Sequence, residues 1–292
     1  MLRWRLLLGA VLIALVTALG WADLNSSRPG LWLLPLAVIA ALAGSGELLW
    51  MTRNREARPL PWVVYIGNLL IVLSNWIGPY WYPENPFFAW MFPTLAFAIG
   101  VGLAFAGEMY RYEKPGGVSE RIAMTVLALA YVGVLLSFVI QLRFLPGGSG
   151  IPALASLIIV VKMGDIGAYT VGRLIGRHKM APVLSPGKTY EGAVGGIVFA
   201  CAGAWLALHL LWPAIMPALV ESSLTTGGWL WYGVLVGLTG MLGDLAESLL
   251  KRDLGCKDSS PWMPGFGGVL DILDSILLAA PVAYACWALG VI

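Results

Sequence analysis

The chain has 292 residues, of which 59% are hydrophobic and 12% charged, and it carries a formal net charge of +2. With a mean hydropathy of +0.81, it cannot be an ordinary water-soluble globule, in which about 25% of residues are charged. The small net charge also gives no footing for a nucleic-acid partner, and no nucleic-acid-binding pattern stands out.

Apolar runs of about bilayer length recur along the whole chain, at roughly 6–22, 31–50, 61–80, 87–107, 122–141, 151–171, 193–212, 229–249 and 268–290. Backbone polar groups in lipid must be satisfied within each segment, so the reading is all-α: a polytopic transmembrane helical bundle of about nine spans. Arg3 and Arg5 before the first run imitate a signal peptide, but the eight spans that follow favour an uncleaved first helix. With the N-terminus in the cytoplasm, the cytoplasmic connections hold Arg3, Arg5, Arg53, Arg55, Arg58, Arg111, Lys114, Arg121, Arg173, Arg177, Lys179, Lys188, Lys251, Arg252 and Lys257. The opposite side keeps only Arg28 and Arg143, and Lys162 falls within a span. That asymmetry places the C-terminus outside, after an odd number of spans.

The two halves differ in where their charges fall. In residues 1–150 the charges sit in connections; Glu47 and Glu108 lie near helix ends, where solvated or snorkelling side chains are expected. Trp76, Tyr80, Trp81 and Tyr82 read as an interfacial aromatic belt. In residues 151–292, Lys162, Asp165, Asp244, Glu247, Asp271 and Asp274 enter the spans themselves. Ionisable residues there are costly and mark function, so 1–150 reads as a scaffold half and 151–292 as a catalytic half.

Asp244 and Glu247 are three apart, as are Asp271 and Asp274, so each pair shares a helix face. Carboxylates that close repel unless a divalent cation, which favours oxygen ligands, joins them. The plainer reading pairs them with Lys251, Arg252 or Lys257 to hold a loop. Lys251-Arg252 and Lys257-Asp258 precede Pro264-Gly265-Phe266-Gly267-Gly268, which runs into the Asp271 helix. Glycine permits close backbone approach, and amides at a helix start favour anions, so a phosphate site beside a metal site is expected here. A second loop, Ser185-Pro186-Gly187-Lys188-Thr189, enters the seventh span with a lysine, two hydroxyls and free amides that suit a triphosphate. It is no P-loop, since Pro182 stands where that motif needs glycine. Lys162 and Asp165, also three apart, read first as an internal salt bridge. His178 and His209 receive no role, and the three cysteines suggest neither disulfide nor zinc.

From Asp165 to Pro281 the chain resembles the phosphatidate cytidylyltransferases. The resemblance lies in Asp165-x-x-Ala168-Tyr169, Ser185-Pro186-Gly187-Lys188-Thr189, Gly243-Asp244-x-x-Glu247-Ser248, Lys251-Arg252, Lys257-Asp258 and the glycine turn before Asp271 and Asp274. It implies an integral membrane enzyme, at a bacterial inner membrane with its site facing the cytoplasm, that joins CTP to phosphatidate with Mg2+. Asp244 and Asp271 would be the principal metal ligands, with Asp258 and Asp274 near them. Ser185, Lys188, Thr189, Lys251, Arg252, Lys257, Gly267 and Gly268 would contact phosphates, and Asp244, Asp271, Asp274, Lys257 and Asp258 would form the catalytic group. A second metal ion and a homodimer are both compatible with the resemblance. Phe266 and Ile272 depart from it, standing where histidine and arginine are usual, so the tasks of those two residues would fall elsewhere or be absent. The competing expectations are a related CTP-using lipid enzyme, such as an ether-lipid cytidylyltransferase or a polyprenol kinase, an ion-coupled transporter, and a membrane scaffold without activity.

Overall fold

The protein is described from a computed structural model covering residues 2–215, 227–260 and 267–292. Its elements in order are α1 (Leu2–Leu24), α2 (Leu34–Met51) with a 3-10 turn at Thr52–Asn54, α3 (Pro61–Ser74), α4 (Ile77–Trp81), α5 (Pro86–Tyr110) and α6 (Val118–Ala128). A π-helical turn at Leu129–Val134 joins α6 to α7 (Leu135–Arg143), and α8 (Gly150–Ile175) follows. Then come strands β1 (Lys179–Ala181) and β2 (Ser185–Thr189), α9 (Tyr190–Trp205), a second π turn at Leu206–Leu211, α10 (Trp212–Ile215), α11 (Gly228–Asp253) and α12 (Val269–Ala288). Pro264, Gly265 and Phe266 lie outside the described residues.

Among the described residues nine helical stretches are long and apolar enough to cross a membrane, four of them composite: α2 with its 3-10 turn, α3 with α4, α6 with α7, and α9 with α10. They match the nine runs read from the sequence. Their outer faces are apolar: Ile13 is 71% exposed, Trp231 64% and Leu174 81%. Water would make such surfaces an association liability, whereas lipid solvates them, and the chain is a multi-pass helical membrane protein.

The all-α expectation needs one correction. The Ser185–Thr189 segment is not an irregular loop but the second strand of an antiparallel hairpin, with Lys179 opposite Thr189 and Ala181 opposite Ser185. The hairpin satisfies its backbone groups outside the spans. Thr189 then caps α9, its hydroxyl oxygen accepting from the amide of Gly192.

The chain forms two compact units, Met1–Gln141 with Asp253–Ile272, and Leu142–Arg252 with Leu273–Ile292. The first has an apolar core of Leu60, Val63, Ile71, Ala96, Ala104 and Leu129. Buried amides tie its helices: Asn68 Nδ2 donates to Ser45 Oγ (2.8 Å), Asn75 Nδ2 to Ser137 Oγ (2.9 Å), and Gln141 Nε2 to Asn75 Oδ1 (2.9 Å). Lipid gives no hydrophobic force between helices, so such bonds help fix their register.

In the second unit small residues let the backbones close up. A Cβ at Gly196 of α9 would stand 3.2 Å from the carbonyl oxygen of Gly164 on α8. Gly240 of α11 lies against Val161 of α8 and Ser275 of α12, and Gly243 lies against the backbone of Asp274 and Ser275. Three helices therefore meet at the level of residues 161, 240–243 and 274–275. The residues beside those contacts are Lys162, Asp244 and Asp274 itself.

Candidate functional site

The close approach at Gly243 governs the polar group of the second unit. Because Gly243 has no side chain, α11 touches the α12 backbone at Asp274 and Ser275, which brings Asp244 and Asp274 near each other. Lys188 reaches in from β2, and its Nζ stands 2.8 Å from Asp244 Oδ2. On α8, Lys162 Nζ is 3.1 Å from Asp165 Oδ2, so the ion pair expected from the three-residue spacing is present. Asp274 feels the charges of both Asp244 and Lys162, and Asp165 those of Asp244 and Lys188. Three carboxylates and two ammonium groups from four elements thus form one electrostatic cluster.

Lys188 is the most informative member. Its Nζ is buried, and the contact with Asp244 is a charge contact off the hydrogen-bonding direction; the ammonium hydrogens find no acceptor among the described residues. A buried ammonium with unsatisfied donors has a strong preference for an anion. Asp274 Oδ1 accepts from the amide and hydroxyl of Ser275, at 2.5 and 3.0 Å. Gly243→Ala should destabilise the protein by about 1–3 kcal/mol, because the new methyl meets backbone rather than a side chain that can turn away. That cost outweighs the gain of up to about 1 kcal/mol from better helix propensity. Thermal unfolding in detergent measures the balance, and unchanged or raised stability would contradict this packing.

In the first unit a second acidic group surrounds the start of α12. Gly267 has φ +85°, and the left-handed turn leads the chain into the helix. Asp271 Oδ2 accepts from the Ser259 amide (2.9 Å), the Ser259 hydroxyl (2.6 Å) and the Gly268 amide (2.9 Å). Glu47 of α2 accepts from the Val269 amide through Oε1 (2.7 Å), and from the Leu270 amide (2.8 Å) and Ser259 hydroxyl (3.0 Å) through Oε2. The hydroxyl of Ser259 has one proton for the two carboxylates it faces. A Cβ at Gly268 would run into Glu47 and Ser259, which explains glycine there. The amides expected to face a substrate phosphate at this helix start are thus engaged by the protein's own carboxylates, and the positive end of the helix dipole stabilises those carboxylates.

Glu47 corrects the expectation of a solvated or snorkelling side chain, since it is only 7% exposed. So does Glu108, 1% exposed and held by Arg111 and by Arg121, whose Nε donates at 2.8 Å. Sequence reasoning missed Glu47 and Ser259 as neighbours of Asp271. The one available signal was an acid inside an otherwise apolar run.

The other expected residues are distributed as follows. Lys251 Nζ lies 2.7 Å from Glu247 Oε2, the loop-holding pairing weighed above. The Nε of Arg252 donates to the Leu184 carbonyl in the hairpin turn, at 3.3 Å. Lys257 and Asp258 are exposed, Ser185 is half-buried and Thr189 is buried as the α9 cap.

A multi-pass membrane protein with a lysine–carboxylate cluster inside its spans is the class defined by these features. Residues 3–289 match the cytidylyltransferase family, and the chain belongs to that family. Among its relatives, a phosphatidate cytidylyltransferase of Staphylococcus aureus is 30% identical over 258 residues, 87% of this chain and 89% of the relative. One of Staphylococcus saprophyticus is 36% identical over 160 residues, 55% of this chain and 56% of the relative. Another, of Mycobacterium bovis, is 37% identical over 178 residues, covering 60% and 52% respectively.

Proposed function

We propose that the chain transfers the cytidylyl group of CTP to phosphatidate, giving CDP-diacylglycerol and pyrophosphate. The observation that carries this reading is the buried Lys188 ammonium against Asp244, which joins the Ser185–Thr189 segment to an acid inside a span. The family match and the names of the relatives support the same activity, and neither favours transport, a kinase or an inactive scaffold.

An oxygen of the phosphatidate monoester attacks the α-phosphorus of CTP. A new P–O bond forms, the bond from the α-phosphorus to its bridging oxygen breaks, and pyrophosphate leaves with that electron pair. The attacking group is already an anion, so no strong general base is needed; the obstacle is the meeting of two polyanions. Lys188 would bind nucleotide phosphate, with Arg252, held against the Leu184 carbonyl of the hairpin turn, adding positive charge beside it. Fixed cationic donors of this kind stabilise charge that would otherwise oppose the encounter.

Within the second unit, Asp244 and Asp274 would hold Mg2+. Among the described residues no three His, Cys, Asp or Glu side chains form a ready-made metal cage. Mg2+ commonly takes only one or two carboxylates and completes its shell with phosphate oxygens and water, so Asp244 and Asp274, flanking the α11–α12 contact at Gly243, fit it. When bound, such an ion neutralises phosphate charge as a Lewis acid. We place the site at the cytoplasmic edge of a bacterial inner membrane, following the bias of basic residues, with the N-terminus inside and the C-terminus outside.

Purified protein in detergent, given phosphatidate, Mg2+ and CTP labelled in the α-phosphate, should form labelled CDP-diacylglycerol. Chelation by EDTA should stop the reaction and added Mg2+ restore it. Absence of product under these conditions, or label reaching lipid only from the γ-phosphate, would overturn the reading.

A further inference from the structure

Lys162 lies twelve residues from the start of the 26-residue α8, so about 18 Å of helix separates it from that end. Its side chain is 40% exposed and that of its partner Asp165 is 41% exposed. Half-exposed charges at the middle of a span cannot face hydrocarbon cheaply; they face water or a polar ligand. A surface salt bridge alone would not repay that position, since exposed pairs contribute at most about 1 kcal/mol. Around Lys162, Val161 packs on Gly240 of α11, and Gly240 on Ser275 of α12. The neighbours of those contacts, Asp244 and Asp274, belong to the same cluster, and Lys188 meets it through Asp244.

We propose that Lys162 is a substrate-binding residue whose ammonium takes a phosphate group entering the cluster of Asp165, Lys188, Asp244 and Asp274. This rests on the cytidylyl-transfer reading and adds to it a cation that pattern reading took first as half of an internal salt bridge. Asp165 holds the ammonium in place until the phosphate arrives, and the flexible lysine stem lets it serve both partners. The cluster sets three carboxyl groups against only two lysines. An anionic substrate therefore needs every cation the cluster can present, and Lys162 is the one placed deepest in a span. Both substrates carry phosphate, and the two KM values tell which of them Lys162 meets.

The test compares wild type, K162M, K162R and K162M/D165N, purified in detergent, by kcat and by KM for phosphatidate and for CTP. A lost hydrogen bond to a charged group corresponds to about a 10- to 100-fold fall in kcat/KM. That fall is expected in K162M, concentrated in the KM of whichever substrate supplies the phosphate, with K162R recovering most of it. The double variant leaves no unpaired charge, so it decides the matter even where K162M folds poorly. If Lys162 serves only to neutralise Asp165, K162M/D165N regains wild-type kcat/KM and the proposal fails. If Lys162 meets phosphate, the double variant stays impaired. An inactive wild type would instead strike at the cytidylyl-transfer reading.

Discussion

Asp244→Asn should lower cytidylyl transfer by about 100- to 1000-fold, the range seen when one preorganised electrostatic contact is removed from a reacting centre. Asparagine matches aspartate in shape, and its carbonyl oxygen can still face Lys188, so the helix contact at Gly243 is kept. What disappears is the negative charge, and with it an oxygen ligand of the kind a hard divalent cation requires. The loss should therefore fall on kcat at saturating CTP and phosphatidate, accompanied by a higher Mg2+ requirement. Steady-state rates across a Mg2+ series, with thermal unfolding as the control on folding, measure it. Wild-type turnover in this variant would remove Asp244 from the site.

Asp271→Asn should give a loss of similar size for a different structural reason. The Oδ2 of Asp271 gathers three donors from Ser259 and Gly268. An asparagine carbonyl can accept the same bonds, but bonds to a neutral acceptor are about half as strong as charge-assisted ones. A stability loss of about 1–2 kcal/mol is expected, against a fall of about 100- to 1000-fold in turnover. That contrast separates a ligand role from a purely architectural one. If activity falls only in proportion to the unfolded fraction, Asp271 is a helix cap and nothing more.

Much of this molecule could be read from its residues, because lipid imposes simple demands. A span must be apolar and about bilayer length, so the nine runs in the sequence reappear as nine span-length helical stretches among the described residues. The ionisable residues inside the spans also stood out, since each is costly there. Legibility ended where chemistry depends on what meets what. Lys188 and Asp244 were each singled out, but nothing in their spacing announced the ion pair. The bond between Glu47 and Ser259 links residues 212 positions apart, and near a helix end an acid that caps another helix looks the same as one that snorkels. The hairpin was missed because its strands are three and five residues long and hold Pro186 and Gly187, poor strand formers. Gly243 gave no warning either; only the α12 backbone lying against it explains why a side chain is excluded.

The central claim is that acids within the spans gather a divalent cation so that two like-charged substrates can meet. Direct titration of Mn2+, a spectroscopic substitute for Mg2+, into the detergent-solubilised protein in the presence of CTP tests it by electron paramagnetic resonance. Wild type should bind the ion tightly enough to quench the free Mn2+ signal, and Asp244→Asn should weaken that binding at least about tenfold, the equivalent of 1.4 kcal/mol. Equal binding by the two proteins, or none by wild type, would contradict the account.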